Sequence, residues 1–206
     1  MDLKQEFKQL YNPSAKDLSI VTVPPLPYLM IDGEGDPNSA EAYKTAVQTL
    51  YTLAYSIRAI SKAQGTVYSV MPLEGLWSFA GETAFTPVAL THADKARFLW
   101  TMMILQPAHI TADMVEQARA EAYRKKKLDA LHQIRHETYA EGEAVQILHL
   151  GSYDDEAPTV ARLHEYIEQQ GYRLAKRHHE IYLSDPSRVA AEKLKTIIRI
   201  PFSRNA

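Results

Sequence analysis

The stretch RHHEIYLSDP (177–186) places a carboxylate beside a tyrosine inside a predicted β-strand that ends at Ser-Asp-Pro. Side chains alternate along a strand, so Glu180 and Tyr182 share one face while Ile181 and Leu183 share the other. The aliphatic pair indicates the core side. The Glu180 face is therefore either in contact with water or lines a pocket that binds through a negative charge.

A second group of carboxylate and aromatic residues precedes this strand. In MPLEGLW, Glu74 lies three residues before Trp77, and in RFLWTMMIL, Trp100 and Met102 share one strand face. Aromatic rings supply stacking and cation–π attraction, and a carboxylate supplies counter-charge or proton transfer. Together these residues favour a pocket for a large, flat, apolar or cationic molecule.

A simpler interpretation of the same residues remains open. Trp77 and Trp100 are equally compatible with an ordinary hydrophobic core, and Glu180 with a salt bridge to a neighbour such as Arg177.

The sequence gives little support for a metal site, a catalytic nucleophile or a cofactor-binding site. His132 and His136 have the four-residue spacing of metal ligands on a helix, but no third ligand is evident; His178 and His179 point to opposite strand faces. The sequence contains no nucleophile elbow, phosphate-binding loop or dinucleotide fingerprint. We therefore expect neither a metal nor a cofactor.

Composition narrows the class of protein. The chain has 206 residues, 46% hydrophobic content, a formal net charge of −2 and no cysteine. This balance gives no basic field for nucleic acid, and no apolar run is long enough for a membrane span or a signal peptide. We expect one cytoplasmic domain, a monomer or a homodimer, that binds a small aromatic or cationic molecule.

The order of predicted elements repeats. Strand–helix–strand–strand occurs over about 18–110 and again over about 140–202, with a helical connection over about 111–137 that begins after Thr111. The order predicts an α+β domain over 1–206, in which tandem halves join antiparallel sheets around a central ligand cleft.

The sequence resembles the GyrI-like small-molecule-binding proteins, related to the effector-binding domains of multidrug-sensing transcription activators. The resemblance rests on segments 141–167, 171–186 and KLKTIIRIPF, together with MPLEGLW and WTMMILQP, and so covers nearly the whole chain. It implies pseudo-twofold symmetry, with Glu180 where drug-sensing relatives place a buried glutamate. Fewer than twenty residues precede the first predicted strand, so no DNA-binding domain and no direct gene activation are expected.

The stretches MPLEGLW and HHEIYLSDP are more specifically similar to the branch that contains cyclopropanoid cyclopropyl hydrolases. These enzymes open the strained ring of DNA-alkylating toxins by adding water. The resemblance implies Glu180 or Glu74 as the base that activates water, and Tyr182 or His149 as a donor to developing oxygen charge. The ligand-binding candidates, which include the aromatic walls, are Tyr68, Trp77, Trp100, Met102, His149, Tyr153 and His178.

Three functional classes follow. The first is a hydrolase that detoxifies an electrophilic aromatic compound, and the second is a non-catalytic protein that sequesters or senses cationic drug-like molecules. The third is a protein-interaction module that uses a sheet edge. Replacing Glu180 distinguishes them: the hydrolase should lose turnover, the binder should lose affinity, and the interaction module should be unaffected.

Overall fold

The computed structural model describes residues 2–80 and 95–204. The sequence also predicts a loop around 81–87, which lies outside the described residues. The strands are β1 (Ser19–Val23), β2 (Leu26–Glu34), β3 (Leu73–Phe79), β4 (Phe98–Leu105), β5 (Arg135–Tyr139), β6 (Gly142–Leu150), β7 (Arg173–Leu174), β8 (His178–Tyr182) and β9 (Lys195–Ser203). The helices are α1 (Leu3–Glu6), α2 (Lys8–Tyr11), α3 (Glu41–Ala63), α4 (Ala112–Lys126) and α5 (Ala157–Gln169).

The strands pair antiparallel in the order β1-β6-β9-β8-β3-β4-β2-β5, and β7 pairs with β9. The units β2-α3-β3-β4 and β6-α5-β8-β9 are related about the central β3–β8 pair, where the halves join edge to edge. Each half is extended by a strand that precedes the other one, because β1 pairs with β6 and β5 with β2. The predicted α+β fold with doubled halves is confirmed.

Helices α3 and α5 cover the same face of the sheet. Helix α3 contacts β2 and β4, and α5 contacts β6 and β9. Buried Leu50, Leu53 and Ile57 give α3 the three-to-four-residue apolar spacing that packs onto a sheet, and Val160 and Leu163 do the same for α5. We call this the front face. The contacts of the two helices lie on either side of the central strands β3 and β8, and we call the region over these two strands the cleft.

Two local predictions differ from the structure. The stretch TVYSVMPLEGLW (66–77) has the pattern of a strand throughout, but residues 66–72 lead into β3 without being part of it. The end of the predicted helical connection is a 3₁₀ turn (Asp129–Gln133) followed by strand β5. Strand β5 gains its hydrogen bonds from β2, a distant partner that local helix spacing cannot reveal. The predicted start of α4 is confirmed, since the Thr111 side chain caps it by accepting from the Met114 amide.

The opposite, back face carries a buried cluster of charges. His179 lies between two carboxylates, with Nδ1 2.8 Å from Glu141 Oε1 and Nε2 3.0 Å from Glu74 Oε2. Carboxylates only accept, so both ring nitrogens donate and the ring is an imidazolium. Arg199 Nη1 donates to Glu141 at 3.0 Å, and Tyr11 donates to Glu74 at 2.6 Å. Two anions and two cations thus compensate one another beneath the N-terminal segment.

This cluster predicts how stability depends on pH. Burial opposes the charge on His179, but Glu141 and Glu74 outweigh it and raise its pKa above 6.5. Its stabilisation is complete below 6.5 and is lost as pH rises through the raised value. Burial would raise the pKa of Glu141, but His179 and Arg199 lower it from 4.5 to about 2. That contribution is present above 4.5 and is lost as pH falls toward about 2.

The contribution of this cluster to the free energy of unfolding should therefore be greatest between pH 4.5 and 6.5 and decline on either side. Urea unfolding of the unaltered protein and of His179→Gln across this range measures it. His179→Gln should weaken the decline on the alkaline side. A stability that rises steadily above pH 6.5 in the unaltered protein would contradict this assignment.

Candidate functional site

Glu180 lies on the front face at the floor of the cleft. His178 and Tyr182, two residues away on either side along β8, point to the same face. The Nε2–H of His178 donates to Oε1 at 3.0 Å, and the Tyr182 hydroxyl donates to Oε2 at 2.8 Å. Glu180 is only 8% exposed. His178 and Tyr182, on either side of Glu180 along the strand, therefore fix its carboxylate in the cleft by one hydrogen bond each.

A tryptophan extends this hydrogen-bonded chain into the next strand. Trp77 Nε1 donates to the Tyr182 hydroxyl at 2.9 Å. Burial, and then the neighbouring Glu180, raise the pKa of Tyr182 well above its ordinary value, so Tyr182 keeps its proton at any physiological pH. Trp77, Tyr182 and Glu180 thus form a line of donors that ends on the carboxylate.

Aromatic rings form the walls near Glu180. Tyr43 projects from α3 onto Trp77 and Trp100, with ring centroids 6.1 and 5.3 Å apart, respectively. On the other side, Tyr153 makes an edge contact with Tyr182 at 5.8 Å. Tyr153 is 39% exposed and lies just before α5, so it is placed at the mouth of the cleft. The arrangement suits a flat ring system held over a negative charge.

Glycines make room for the tryptophan rings. Gly75 is paired with Glu180 across the central strands, and a Cβ there would lie 2.7 Å from Trp77 Nε1, 3.1 Å from the Tyr182 hydroxyl and 3.3 Å from Met102 Cε. A Cβ at Gly33 would overlap the Trp100 ring at 2.0 Å. Trp77, Met102 and Tyr182 consequently converge on one glycine beside the carboxylate.

Replacing Gly75 by alanine should displace Trp77 and break its hydrogen bond to Tyr182, because Trp77 Nε1 would lie only 2.7 Å from the new Cβ. A displacement of about 1 Å at a reacting group costs roughly 100-fold in rate. We expect a loss of that order in kcat/KM, or a corresponding loss of ligand affinity, measured with a cyclopropane-bearing aromatic probe. Ser78→Ala, on the same strand but on its back face, is the control and should retain both. Unchanged activity in Gly75→Ala would contradict the role of this hydrogen-bonded line.

Two further predicted site residues, His149 and Tyr68, contact residues other than Glu180. His149 is on the front face of β6, where Nε2 donates to the Ser152 carbonyl at 3.1 Å and Nδ1 is 3.0 Å from the Thr159 hydroxyl. Both ring nitrogens are therefore engaged within their own segment. Tyr68 packs against His109 near the end of α3, and no contact in the described residues joins it to Glu180.

The structure places Glu74 apart from Glu180. Strand pairing sets Gly75 opposite Glu180 and Glu74 opposite Ile181, so the two carboxylates point to opposite faces of the sheet. Glu74 is fully buried in the back-face cluster, where Tyr11 and His179 occupy its two oxygens. Of the two alternative bases, Glu180 is therefore the one on the front face, and Glu74 lies on the opposite side of the sheet.

A salt bridge from Glu180 to Arg177, the alternative interpretation of this residue, is absent from the described residues. The partners of Glu180 are His178 and Tyr182, whereas half-buried Arg177 interacts with Tyr139 and Asp32. Glu180 is therefore not held by a salt bridge to Arg177.

Two site residues were missed from the sequence. Tyr43 lies three, four and seven positions before Ala46, Val47 and Leu50, and this spacing could have placed it on the buried stripe of α3. Glu156 lies immediately before α5, where an acidic residue is ordinary and gives no further signal. The structure places Glu156, 4% exposed, beside Glu180.

Within residues 2–80 and 95–204, no group of three or more histidine, aspartate or glutamate side chains is arranged to hold a metal ion. His132 lies in the 3₁₀ turn and His136 in β5, so they do not share a helix. The same part of the chain contains no helix of the length and apolarity required to cross a bilayer.

Comparisons with known proteins agree with this architecture. The chain is 36% identical to an uncharacterised conserved protein from Listeria innocua, with a TM-score of 0.88 over 98% of this chain and all of the other. It is also 36% identical to a hydrolase from Listeria innocua, with a TM-score of 0.84 and the same coverage. The C-terminal domain of EcmrR, at 11% identity and a TM-score of 0.55 over 92% of this chain and 98% of that domain, shares the fold alone.

No curated protein matches the sequence. The profile of the GyrI-like small molecule binding domain, however, matches residues 16–203, which include both halves of the sheet and every residue of the cleft named above. The chain belongs to the GyrI-like family of small-molecule-binding domains.

Proposed function

We propose that this protein is a hydrolase that adds water to a strained, cyclopropane-bearing aromatic toxin and thereby detoxifies it. The observation that carries the proposal is the position of Glu180, a carboxylate fixed by two donors at the floor of a cleft with aromatic walls. A planar toxin stacks on the rings, and the carboxylate lies beneath it to take a proton from water. The family supplies the small-molecule site, and the reaction is the proposal.

The reaction requires the protein to orient the substrate and the water molecule and to supply one base. Release of ring strain supplies much of the driving force, so the site has to place a water molecule against the cyclopropane carbon and accept its proton. Glu180 serves as that base, while Trp77 and Tyr182 hold it in position. The similarity to a protein described as a hydrolase, at 36% identity over 98% of this chain, supports water as the second reactant.

A second candidate is a binder that sequesters cationic aromatic molecules without turnover. The specific observation in its favour is that both oxygens of Glu180 already accept hydrogen bonds. Such donors stabilise a carboxylate as an anion and make it a better counter-charge than a base. Stacked rings around a fixed negative charge are also what a delocalised aromatic cation requires.

Mass spectrometry with the protein far below the concentration of a duocarmycin-type alkylator separates the two candidates. Many equivalents of a product heavier by one water, above the amount formed without protein, would support the hydrolase. Unchanged compound recovered in a one-to-one complex would overturn it and support the binder. A titration with a permanently charged aromatic cation then measures the affinity that the binder requires.

A further inference from the structure

The cleft contains a second carboxyl group that the proposed mechanism has not yet used. Glu156 and Glu180 lie within hydrogen-bonding reach of each other, although they are on different elements, at the start of α5 and on β8. The Oε1 atom of Glu156 is buried and has no hydrogen-bond partner among the described residues. One oxygen of this carboxyl group therefore makes no close hydrogen bond within the described residues, and the Thr196 hydroxyl lies beside the group.

Two carboxyl groups side by side in a dry site cannot both be ionised near neutral pH, because like charges repel strongly where water is excluded. The groups that face Glu156 from the neighbouring elements are acidic or uncharged: Glu180 and Tyr182 from β8, Thr196 from β9, and Tyr153 and Asp154 from the preceding turn. The nearest imidazoles, His178 and His149, are already engaged elsewhere, by Glu180 and by Thr159 and Ser152. Burial and then Glu180 raise the pKa of Glu156 well above its ordinary value.

We propose that Glu156 is the acid of the ring-opening reaction and gives its proton to the substrate oxygen while Glu180 acts as the base. This inference rests on the proposed hydrolysis and names a residue for its second proton transfer. It assigns the donor role to Glu156 rather than to Tyr182 or His149, the donors that the resemblance implied.

The water oxygen bonds to the cyclopropane carbon, and Glu180 takes one proton from that water. The strained carbon–carbon bond breaks, and its electron pair moves through the ring to the carbonyl oxygen. Glu156 protonates this oxygen and gives a phenol, after which the proton on Glu180 passes to Glu156. The net change is the addition of one water molecule, and both carboxyl groups return to their starting state.

The tyrosines of the cleft are weaker candidates for this proton. Tyr182 already gives its hydrogen to Glu180, and its raised pKa makes it a poor acid. Burial raises the pKa of Tyr153 to about 12. A neutral carboxylic acid releases a proton far more readily than either phenol, and Glu156 is the group in the described cleft with that property.

Kinetics with a series of duocarmycin-type alkylators, in which ring substituents change the acidity of the product phenol, test the assignment. Glu156→Gln should lower kcat by roughly 100- to 10,000-fold for the parent compound, with KM little changed. The loss should shrink as electron-withdrawing substituents stabilise the phenolate, because that oxygen then needs no acid. In the unaltered protein, kcat should decline at alkaline pH as Glu156 loses its proton. Since an amide cannot titrate, this decline should be absent from Glu156→Gln.

A measurement independent of turnover accompanies the kinetics. In protein labelled with carbon-13 at the glutamate side chains, a neutral carboxyl signal should persist at neutral pH and be missing from Glu156→Gln. The control is Glu168→Gln, an exposed position on the same helix, which should retain both this signal and the activity. Circular dichroism confirms that each variant is folded.

Each outcome has a distinct meaning. Equal activity and an equal pH profile in Glu156→Gln, or no neutral carboxyl in the unaltered protein, would overturn the acid role and leave hydrolysis standing. No hydrolysis of any probe by the unaltered protein would overturn the proposed function and the acid role with it. In that case the carboxyl signal would still decide whether the pair holds a proton.

Discussion

Glu180→Gln should abolish most of the hydrolysis of a cyclopropane-bearing aromatic substrate. Glutamine keeps the size of the side chain and one oxygen that can accept from Tyr182, but it has neither the charge nor the basicity to take a proton from water. Loss of a general base costs roughly 100- to 10,000-fold in rate, and we expect kcat to fall within this range. Substrate affinity should change less for a neutral substrate, since the aromatic walls remain. Steady-state kinetics with product detection by mass spectrometry measures both.

Two further variants test whether the loss of hydrolysis is specific to a carboxylate in the cleft. Glu137→Gln, at an exposed position on edge strand β5, should leave kcat and KM unchanged. Glu74→Gln should lower the free energy of unfolding, because Glu74 belongs to the back-face cluster, while the folded fraction continues to turn over. Equal loss of kcat in folded Glu74→Gln and Glu180→Gln would contradict the separation of the two carboxylates.

Glu141→Gln should destabilise the protein more than any surface substitution. Glu141 accepts from both His179 and Arg199, and all three side chains are at most 1% exposed. Without this carboxylate, two buried cations share a single remaining anion, Glu74. Breaking a buried ion pair in this way costs about 3–5 kcal/mol. Urea unfolding at a pH between 4.5 and 6.5, where the cluster is fully charged, measures the loss.

Glu143→Gln provides a matched comparison two residues away. Glu143 also binds an arginine, Arg204, at 2.8 Å, but these side chains are 34% and 54% exposed. Water screens such a pair, so its loss should cost no more than about 1 kcal/mol. If the two substitutions have equal effects, the back-face cluster does not have the energetic role assigned to it.

The fold could be predicted because its signals are local and repeated. Apolar spacing located α3 and α5, prolines marked the break between β1 and β2, and alternation placed Glu180 and Tyr182 on one face of β8. The exchange of β1 and β5 between the halves was not predictable, since it depends on pairing across more than a hundred residues of chain. Short edge strands carry little pattern of their own.

The site could be predicted only in part, for a related reason. Alternation shows which residues share a face within one strand but not how two strands align. The register that sets Gly75 opposite Glu180 also sends Glu74 to the back face, and a shift of one residue would reverse this. Glu156 was missed because a carboxylate at a helix start has an ordinary explanation in the helix dipole. Its nearness to Glu180 is a property of the tertiary fold.

Carrying out the reaction in oxygen-18 water tests most directly whether Glu180 activates water. With a large excess of a duocarmycin-type alkylator over protein, we expect many equivalents of ring-opened product to acquire one labelled oxygen. We also expect Glu180→Gln, although folded, to form no more product than the reaction without protein. Unlabelled, unchanged compound held in a one-to-one complex, or equal labelling by Glu180→Gln, would contradict a water-activating Glu180.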